Sequence, residues 1–483
     1  MNAQAVAGNP LPRSTPEAQG VSSAGILAFV EAVEKNIREL HSLMLLRHGN
    51  VITEGWWQPY RPSGPHNLFS LSKSFTATAI GLAIGEGILS LDDPVLSFFP
   101  DQAPANPDVN LARLRLRHLL TMSTGHSQDT LARLRNRPDG KWIQGFFELP
   151  LDHEPGTHFV YNTGATYLLS AILQKLTGQT LLDYLRPRLF EPLGIDQPTW
   201  ETSSEGFNFG GWGLSIRSED LARFGQLYLQ KGHWQGRRIL SETWVESATF
   251  RQIATGANPD SDREQGYGYQ FWRGRHGSYR GEGGFGQFCL VLPEQDAVLA
   301  ITGAVEGDMY AVLDLVWKYL FPALAADELP ENPAARADLF RKLDGLKLDP
   351  PQGGSSTPMA MDVSGKTYRM EPNVLKIEAF NFDFGAAQSR LVLQMPVGNQ
   401  VITAGNSAWI EGRMGANGAG GQPVVCSGAW TAVDTYVLTI RYYETAHYDT
   451  HTFTFEQDRI RVSGGVNVSL DSTQYPPMQG RQI

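Results

Sequence analysis

Along the first two thirds of the chain, apolar residues recur mainly at the three- and four-residue spacing of a helical face, and beyond about residue 358 they change to alternation. The pattern predicts a helix from Ser23 to about Arg38, then two short strands, Leu43–Arg47 and Val51–Trp56, joined at His48-Gly49-Asn50. A second helix is expected from about Ser70 to Gly85, with Leu71, Phe75, Ala79 and Leu82 on its buried face and Ser70 and Lys73 on another. Leu114–Met122, Thr163–Leu176, Leu181–Leu189 and Ser218–Gln230 read as further helices. The last has Ser218 as N-cap, with Glu219 and Asp220 where the helix dipole favours negative charge. Strand signals return at Tyr267–Trp272 and Gln287–Leu292 and, after a turn at Pro293–Asp296, at Ala297–Thr302, with a closing helix near Tyr310–Leu320. This order describes an α+β sandwich of helices against an antiparallel sheet.

From about Asp327 to Thr357 the chain is rich in Pro, Gly, Ser and charge, which marks a linker around one short helical stretch. Beyond it Leu391/Leu393/Met395, Tyr436/Leu438/Ile440/Tyr442, Ile460/Val462 and Val466/Val468/Leu470 repeat at period two between turn signals. Short strands so spaced close their edges most easily as a small antiparallel barrel. The expected organisation is an N-terminal extension over 1–22, an α+β domain over 23–326, a linker over 327–357 and an all-β, barrel-like domain over 358–483.

Composition narrows the function. The 483 residues are 41% hydrophobic and 19% charged, a globular balance with room for a large core. Forty basic against fifty acidic residues leave a net charge of −10, the wrong sign for tracking nucleic acid or an anionic membrane surface. Two cysteines, Cys289 and Cys426, cannot build a disulfide framework or a four-thiolate zinc site. The first twenty residues lack the basic and apolar regions of a secretory signal, and no window of about 18 residues is continuously apolar. A soluble, cytoplasmic protein is expected, although a secreted form with its signal removed would look the same.

The chemistry concentrates in three segments. Ser70-Leu-Ser-Lys73 opens the second helix, so the lysine lies one turn from the serine on the same face, within reach of its proton. An ordinary lysine, with a pKa of about 10.4, would be a protonated and useless base, and burial and the helix N-terminus both favour its neutral form. Downstream, Pro155-Gly-Thr-His-Phe-Val-Tyr161-Asn162-Thr163 delivers a tyrosine just before an apolar helix, placed to relay a proton. The third segment, Arg280-Gly281-Glu282-Gly283-Gly284-Phe285-Gly286-Gln287, has so few side chains that a substrate can lie against its backbone and meet an N–H donor. Residues 281–286 also fit a Gly-x-Gly-x-x-Gly pattern, but a strand follows where a dinucleotide site needs a helix. His447 and His451 have the spacing of helical metal ligands, yet their surroundings alternate as strands and offer no third ligand in register. Trp142, Phe146 and Phe147 lie in a long connection and are candidates for an acyl-binding rim.

Taken together, these segments resemble the penicillin-recognising serine hydrolases, specifically the class C β-lactamase-like branch with its family VIII carboxylesterases, D-amino-acid peptidases and amidases, and oligoamide hydrolases. The resemblance spans roughly residues 20–325 and extends to LMLLRHGNVITEGWW, LRLRHLLTMSTGH, LFEPLGI and GGWGLSIRSEDLARFGQLYLQKG. It implies the β-lactamase/penicillin-binding-protein fold. Ser70 would be the acylated nucleophile and Lys73 its base, with Tyr161 sharing proton transfer and the N–H groups of Ser70 and Gly284 forming an oxyanion hole. Asn162, Glu282, Phe285 and Trp142 are the candidates for substrate contact. Two motifs depart from the family pattern. Asn162 follows Tyr161 directly where β-lactamases have Tyr-x-Asn, and Gly281-Glu282-Gly283 stands where they have Lys-Thr-Gly, so a substrate carboxylate would meet an acid in place of a cation.

The resulting expectation is an acyl hydrolase working without cofactor or metal on a small-molecule ester, with an amide or D-amino-acid peptide substrate as the alternative and a non-catalytic scaffold as the competing class. Neither nucleic acid nor membrane is expected as a partner, and a homo-oligomer is left open. The terminal barrel is assigned no chemistry. By the same resemblance it is either a restriction on access to the site or a module for assembly or stability.

Overall fold

The computed structural model describes residues 10–415 and 420–483. Two compact units emerge. The first holds the chain up to Gly55 together with Pro65–Gly303 and Asp308–Asp344, and the second holds Trp56–Gly64, Ala304–Gly307 and Gly345–Ile483.

In the first unit, helix α1 (Ser23–Asn36) leads into strands β1 (Leu40–Arg47) and β2 (Asn50–Trp56). Helices α2 (Ser72–Gly85), α3 (Thr163–Thr177) and α4 (Ser218–Leu229) follow, then strands β3 (Trp272–Arg273), β4 (Tyr279–Gly283), β5 (Gln287–Leu292) and β6 (Ala297–Gly303), and finally helix α5 (Pro333–Asp344). One six-stranded sheet runs β2-β1-β6-β5-β4-β3, with antiparallel pairing from β1 through to β3. Every residue of β1, β5 and β6 is buried, and apolar residues predominate in all three without alternating, the mark of a sheet covered on both faces. Helix α4 packs across β1, β5 and β6.

Helix α2 is buried on almost every face, with Phe75 stacked on Phe224 of α4 at 3.8 Å between ring centroids. Its Gly81 is required by close approach. A Cβ there would lie 2.2 Å from Cε2 of Trp244, whose indole fills that space.

Several sequence expectations change. The segment expected as a strand over Tyr267–Trp272 is pulled out of the sheet, in which only Trp272–Arg273 remain, while Tyr267 bridges Ile253 and Trp272. Gln270 adopts a left-handed φ of 61°, and its side-chain amide donates to the carbonyls of Leu119 and Leu120. The N-cap of α4 is Arg217, not Ser218: the Asp220 carboxylate accepts from the Arg217 N–H at 3.3 Å, while the Ser218 hydroxyl shares a hydrogen bond with Ser42 at 2.7 Å. The strand expected to carry the alternating run Val466/Val468/Leu470 ends at Val466, and Leu470 is 84% exposed. Within the stretch expected as a linker, α5 forms a twelve-residue helix that packs on α1 through buried Leu339 and Leu343 and a Lys342–Glu34 ion pair.

The second unit is a closed barrel. Its strands are β7 (Thr367–Met370), β8 (Ala379–Phe384), β9 (Gln388–Gln394), β10 (Gln400–Asn406), β11 (Ile410–Met414), β12 (Gln422–Ala432), β13 (Thr435–Arg441), β14 (Tyr448–Glu456), β15 (Arg459–Val466) and β16 (Met478–Gln482). They are ordered β10-β9-β8-β7-β16-β15-β14-β13-β12-β11, and a parallel pairing of Gly405 with Ser427 and Asn406 with Gly428 joins β10 to β12 and closes the ring. Phe380, Phe382, Phe453, Phe455, Tyr436 and Trp430 fill the interior. Closure covers edges that would otherwise be open to aggregation. The segment 56–64 belongs to this unit: the Tyr60 hydroxyl donates to the Thr445 carbonyl at 3.0 Å, and Arg61 bonds the Tyr443 hydroxyl at 3.0 Å and Glu411 at 2.9 Å. No helix among the described residues is long and apolar enough to cross a membrane.

Candidate active site

Ser70 lies in a single 3-10 turn, Phe69–Leu71, immediately before α2. Phe69 holds a left-handed φ of 48°, and the side-chain oxygen of Asn67 accepts from its N–H at 2.9 Å, fixing the turn that leads into the helix. One turn on, Lys73 Nζ lies 3.1 Å from Ser70 Oγ, donates to the Gly211 carbonyl at 2.8 Å, and sits 4.8 Å from the centroid of the Tyr161 ring. Lys73 is only 1% exposed. Burial brings its pKa down to about 7, with the nearby Asp129 carboxylate opposing the fall.

Tyr161 hydrogen-bonds Ser70, and burial holds its hydroxyl well above the usual phenol range, so it remains a protonated donor at neutral pH. Its ring is stacked on Trp272, with 5.7 Å between centroids. Tyr161 therefore touches both Ser70 and Lys73, and the three residues form one cluster.

Three groups that sequence reasoning left out complete this cluster. Asp129 accepts from the Thr163 N–H at 2.9 Å and hydroxyl at 3.0 Å, pinning the first residue of α3 while placing negative charge near Lys73 and Tyr161. Gly211 supplies the carbonyl to Lys73, and a Cβ on it would come within 2.7 Å of Thr163 Cγ2. Gln287, fully buried, donates to the carbonyls of Gly284 and Gly303 at 2.9 Å each and accepts from the Gly303 N–H at 3.1 Å, so it ties the glycine-rich turn to β6. Gly211 lies in the family-like stretch GGWGLSIRSEDLARFGQLYLQKG and Gln287 ends the glycine-rich segment, whereas nothing near Asp129 in the sequence marks it.

The glycine-rich segment itself divides. Gly283 packs so tightly on Ser70's turn that a Cβ would meet the Leu68 carbonyl oxygen at 2.1 Å, whereas Gly284 is partly exposed and faces open space. Phe285, with φ 66°, meets Phe69 edge to face at 5.2 Å.

Three of the residues expected at the substrate are engaged within the fold. Asn162 is fully buried and its amide is engaged within the fold: the oxygen accepts from the Thr130 hydroxyl at 2.7 Å and N–H at 3.3 Å, and the nitrogen donates to Thr124 at 3.3 Å. Glu282 is not a free acid. One of its oxygens pairs with Arg280 at 2.7 Å and the other accepts from the Tyr310 hydroxyl at 2.5 Å. The two-residue spacing on β4 puts Arg280 and Glu282 on one face. Trp142 stands on a short helix, Trp142–Glu148, not in a loop, and is buried against Tyr167, Phe209 and Trp212. Phe209 and Trp212, the latter next to Gly211, are the partly exposed members of that aromatic group.

A sheet covered by helices, with a serine and a lysine at the head of a buried central helix, followed by a closed barrel, is the β-lactamase/penicillin-binding-protein fold with a C-terminal β domain. The sequence model of the beta-lactamase family matches residues 32–313, and the chain belongs to that family of serine hydrolases. It is 27% identical over 307 residues to a 6-aminohexanoate-dimer hydrolase of Paenarthrobacter ureafaciens, covering 59% of this chain and 78% of that one. A lovastatin esterase of Penicillium rubens is 28% identical over 168 residues, 30% of this chain and 42% of the esterase. An octameric penicillin-binding protein homologue from Pyrococcus abyssi shares the fold over 95% of this chain and 100% of its own, with a TM-score of 0.51 at 17% identity.

Proposed function

We propose that the protein is an acyl hydrolase that cleaves neutral carboxylic esters through a covalent acyl-enzyme on Ser70. The observation that carries this reading is Lys73 Nζ at 3.1 Å from Ser70 Oγ with its pKa brought down to about 7, which makes a neutral amine available as base at physiological pH. Lys73 takes the Ser70 proton as Oγ bonds to the ester carbonyl carbon and the carbonyl electron pair moves onto oxygen. The N–H groups of Ser70 and Gly284 stabilise that oxyanion, with Gln287 fixing the turn through the carbonyl of the next peptide, Gly284–Phe285. Collapse breaks the bond to the leaving alkoxide, which takes a proton from Tyr161, and Lys73 returns one to Tyr161. Water then enters by the reverse route and releases the acid.

The preference for neutral esters rests on the third motif. Arg280 is committed to Glu282, and Glu282 to Arg280 and Tyr310, so neither charge of this pair is left to hold a substrate carboxylate or amine. Partly exposed Phe69, Phe285 and Trp212 favour an apolar acyl or alkoxy group. An amide substrate is the second reading, favoured by the likeness to the dimer hydrolase. A panel of short-chain aryl esters, aryl amides and a chromogenic cephalosporin tests both. Ester cleavage well above amide and cephalosporin cleavage is expected, amide cleavage exceeding ester cleavage would establish the second reading, and cephalosporin turnover equal to ester turnover would overturn the argument from the third motif.

A further inference from the structure

In the barrel unit, the β10–β12 pairing at Gly405/Ser427 does not extend to Gln400 and Gln422, and this end opens into a cavity of about 580 Å3. That volume is in the range of small-molecule sites. Leu375, Leu393, Met395 and Met414 pack on the barrel core yet remain partly exposed, and all four line the cavity. Apolar side chains lining a chamber of this size favour an apolar occupant over water.

The chamber also has a polar base. Asp449 and His451 on β14 share the inward face with core residues Phe453 and Phe455. One Asp449 oxygen accepts from the Tyr442 hydroxyl at 3.0 Å and the other from the Tyr475 hydroxyl at 2.6 Å, while Tyr475 stacks on His451 at 6.1 Å. Two phenol donors fix the carboxylate's position without neutralising it, and each oxygen keeps acceptor capacity. No lysine or arginine among the described residues lines the cavity, and burial lowers the pKa of His451 against the pull of the Asp449 charge. The result is a largely apolar chamber with one oriented carboxylate and, among the described residues, no lysine or arginine beside it.

We propose that this cavity is a binding site for a small organic cation, an alkyl- or arylalkyl-ammonium whose charged nitrogen pairs with Asp449 and whose apolar body lies against Leu393, Met395 and Met414. A carboxylate of the same length would bring two anions together, and an uncharged alcohol would leave Asp449 unpaired.

The test uses the full chain with Ser70 blocked by a fluorophosphonate, so that the hydrolase site is closed to the probe. Calorimetric titration at pH 7 with n-octylammonium, and in parallel with octanoate, is repeated on Asp449→Asn and on Leu393→Trp, the latter filling the chamber. The expected result is saturable one-to-one binding of octylammonium, at least about tenfold weaker binding of octanoate, a loss of at least about tenfold in Asp449→Asn and no binding in Leu393→Trp. Absence of saturable binding by the unsubstituted chain, octanoate binding as well as octylammonium, or an affinity unchanged in both variants would each overturn the proposal. The comparison of the two probes on the unsubstituted chain needs no variant to fold.

Discussion

At the scale of single residues, the decisive quantity is the protonation of Lys73. A fall from 10.5 to about 7 is about 5 kcal/mol of differential stabilisation of the neutral amine, and its largest cause is burial. With Lys73 as base, kcat/KM for an aryl ester should rise about tenfold per pH unit below pH 7 and level off above it, because only the deprotonated amine can accept the Ser70 proton. A flat profile between pH 5.5 and 8 would show that Lys73 does not titrate in the catalytic cycle. Lys73→Ala and Tyr161→Phe should each lower kcat/KM by about 10²–10⁴-fold, the usual worth of a positioned acid or base. Glu282 yields a different expectation. Glu282→Gln leaves the fully buried Arg280 charge without its partner and should cost about 3–5 kcal/mol of stability, read as a lower denaturant midpoint, while reducing turnover of neutral and cationic esters alike. A selective loss on cationic esters with unchanged stability would mean that Glu282 binds substrate.

At the scale of elements, the glycine-rich turn depends on one side chain from the following strand. Gln287→Leu strips partners from the Gly284 carbonyl and from both polar groups of Gly303, so it should cost at least about 1–3 kcal/mol and slow acylation of Ser70 together. A variant as stable and as readily acylated as the parent would remove Gln287 from the account. This dependence was hidden in the sequence because a glutamine inside an apolar strand carries no periodic signal. The elements that were legible are those whose pattern is local. Ser70 and Lys73 are one helical turn apart, and alternation over 436–442 marks β13. What was not legible depends on long-range pairing. Asp129 reaches Thr163 from 34 positions away, and Tyr310 reaches Glu282 from 28. The strand expected over Tyr267–Trp272 is lost to Gln270, whose bonds run to carbonyls about 150 residues earlier. Asn162 shows the converse: its residue type matched a motif, but one position of offset turned its amide into the fold, where burial requires the hydrogen bonds it makes.

At the scale of the whole molecule, the chain does not divide at a single linker, because Trp56–Gly64 and Ala304–Gly307 belong to the barrel unit. A chain truncated after Asp344 therefore loses the groups that Tyr60 and Arg61 bond, and it should be less soluble and melt lower than the full protein. Full solubility and an unchanged Tm would show that those segments stand without the barrel. The claim on which the functional account rests is that Ser70 is acylated in the intact protein. Intact-mass spectrometry of the full chain after incubation with a fluorophosphonate, followed by peptide mapping, tests it directly. The account predicts a single adduct carried by the peptide containing Ser70, and no adduct in Ser70→Ala of unchanged fold. An adduct on another residue, or labelling that survives in Ser70→Ala, would contradict it.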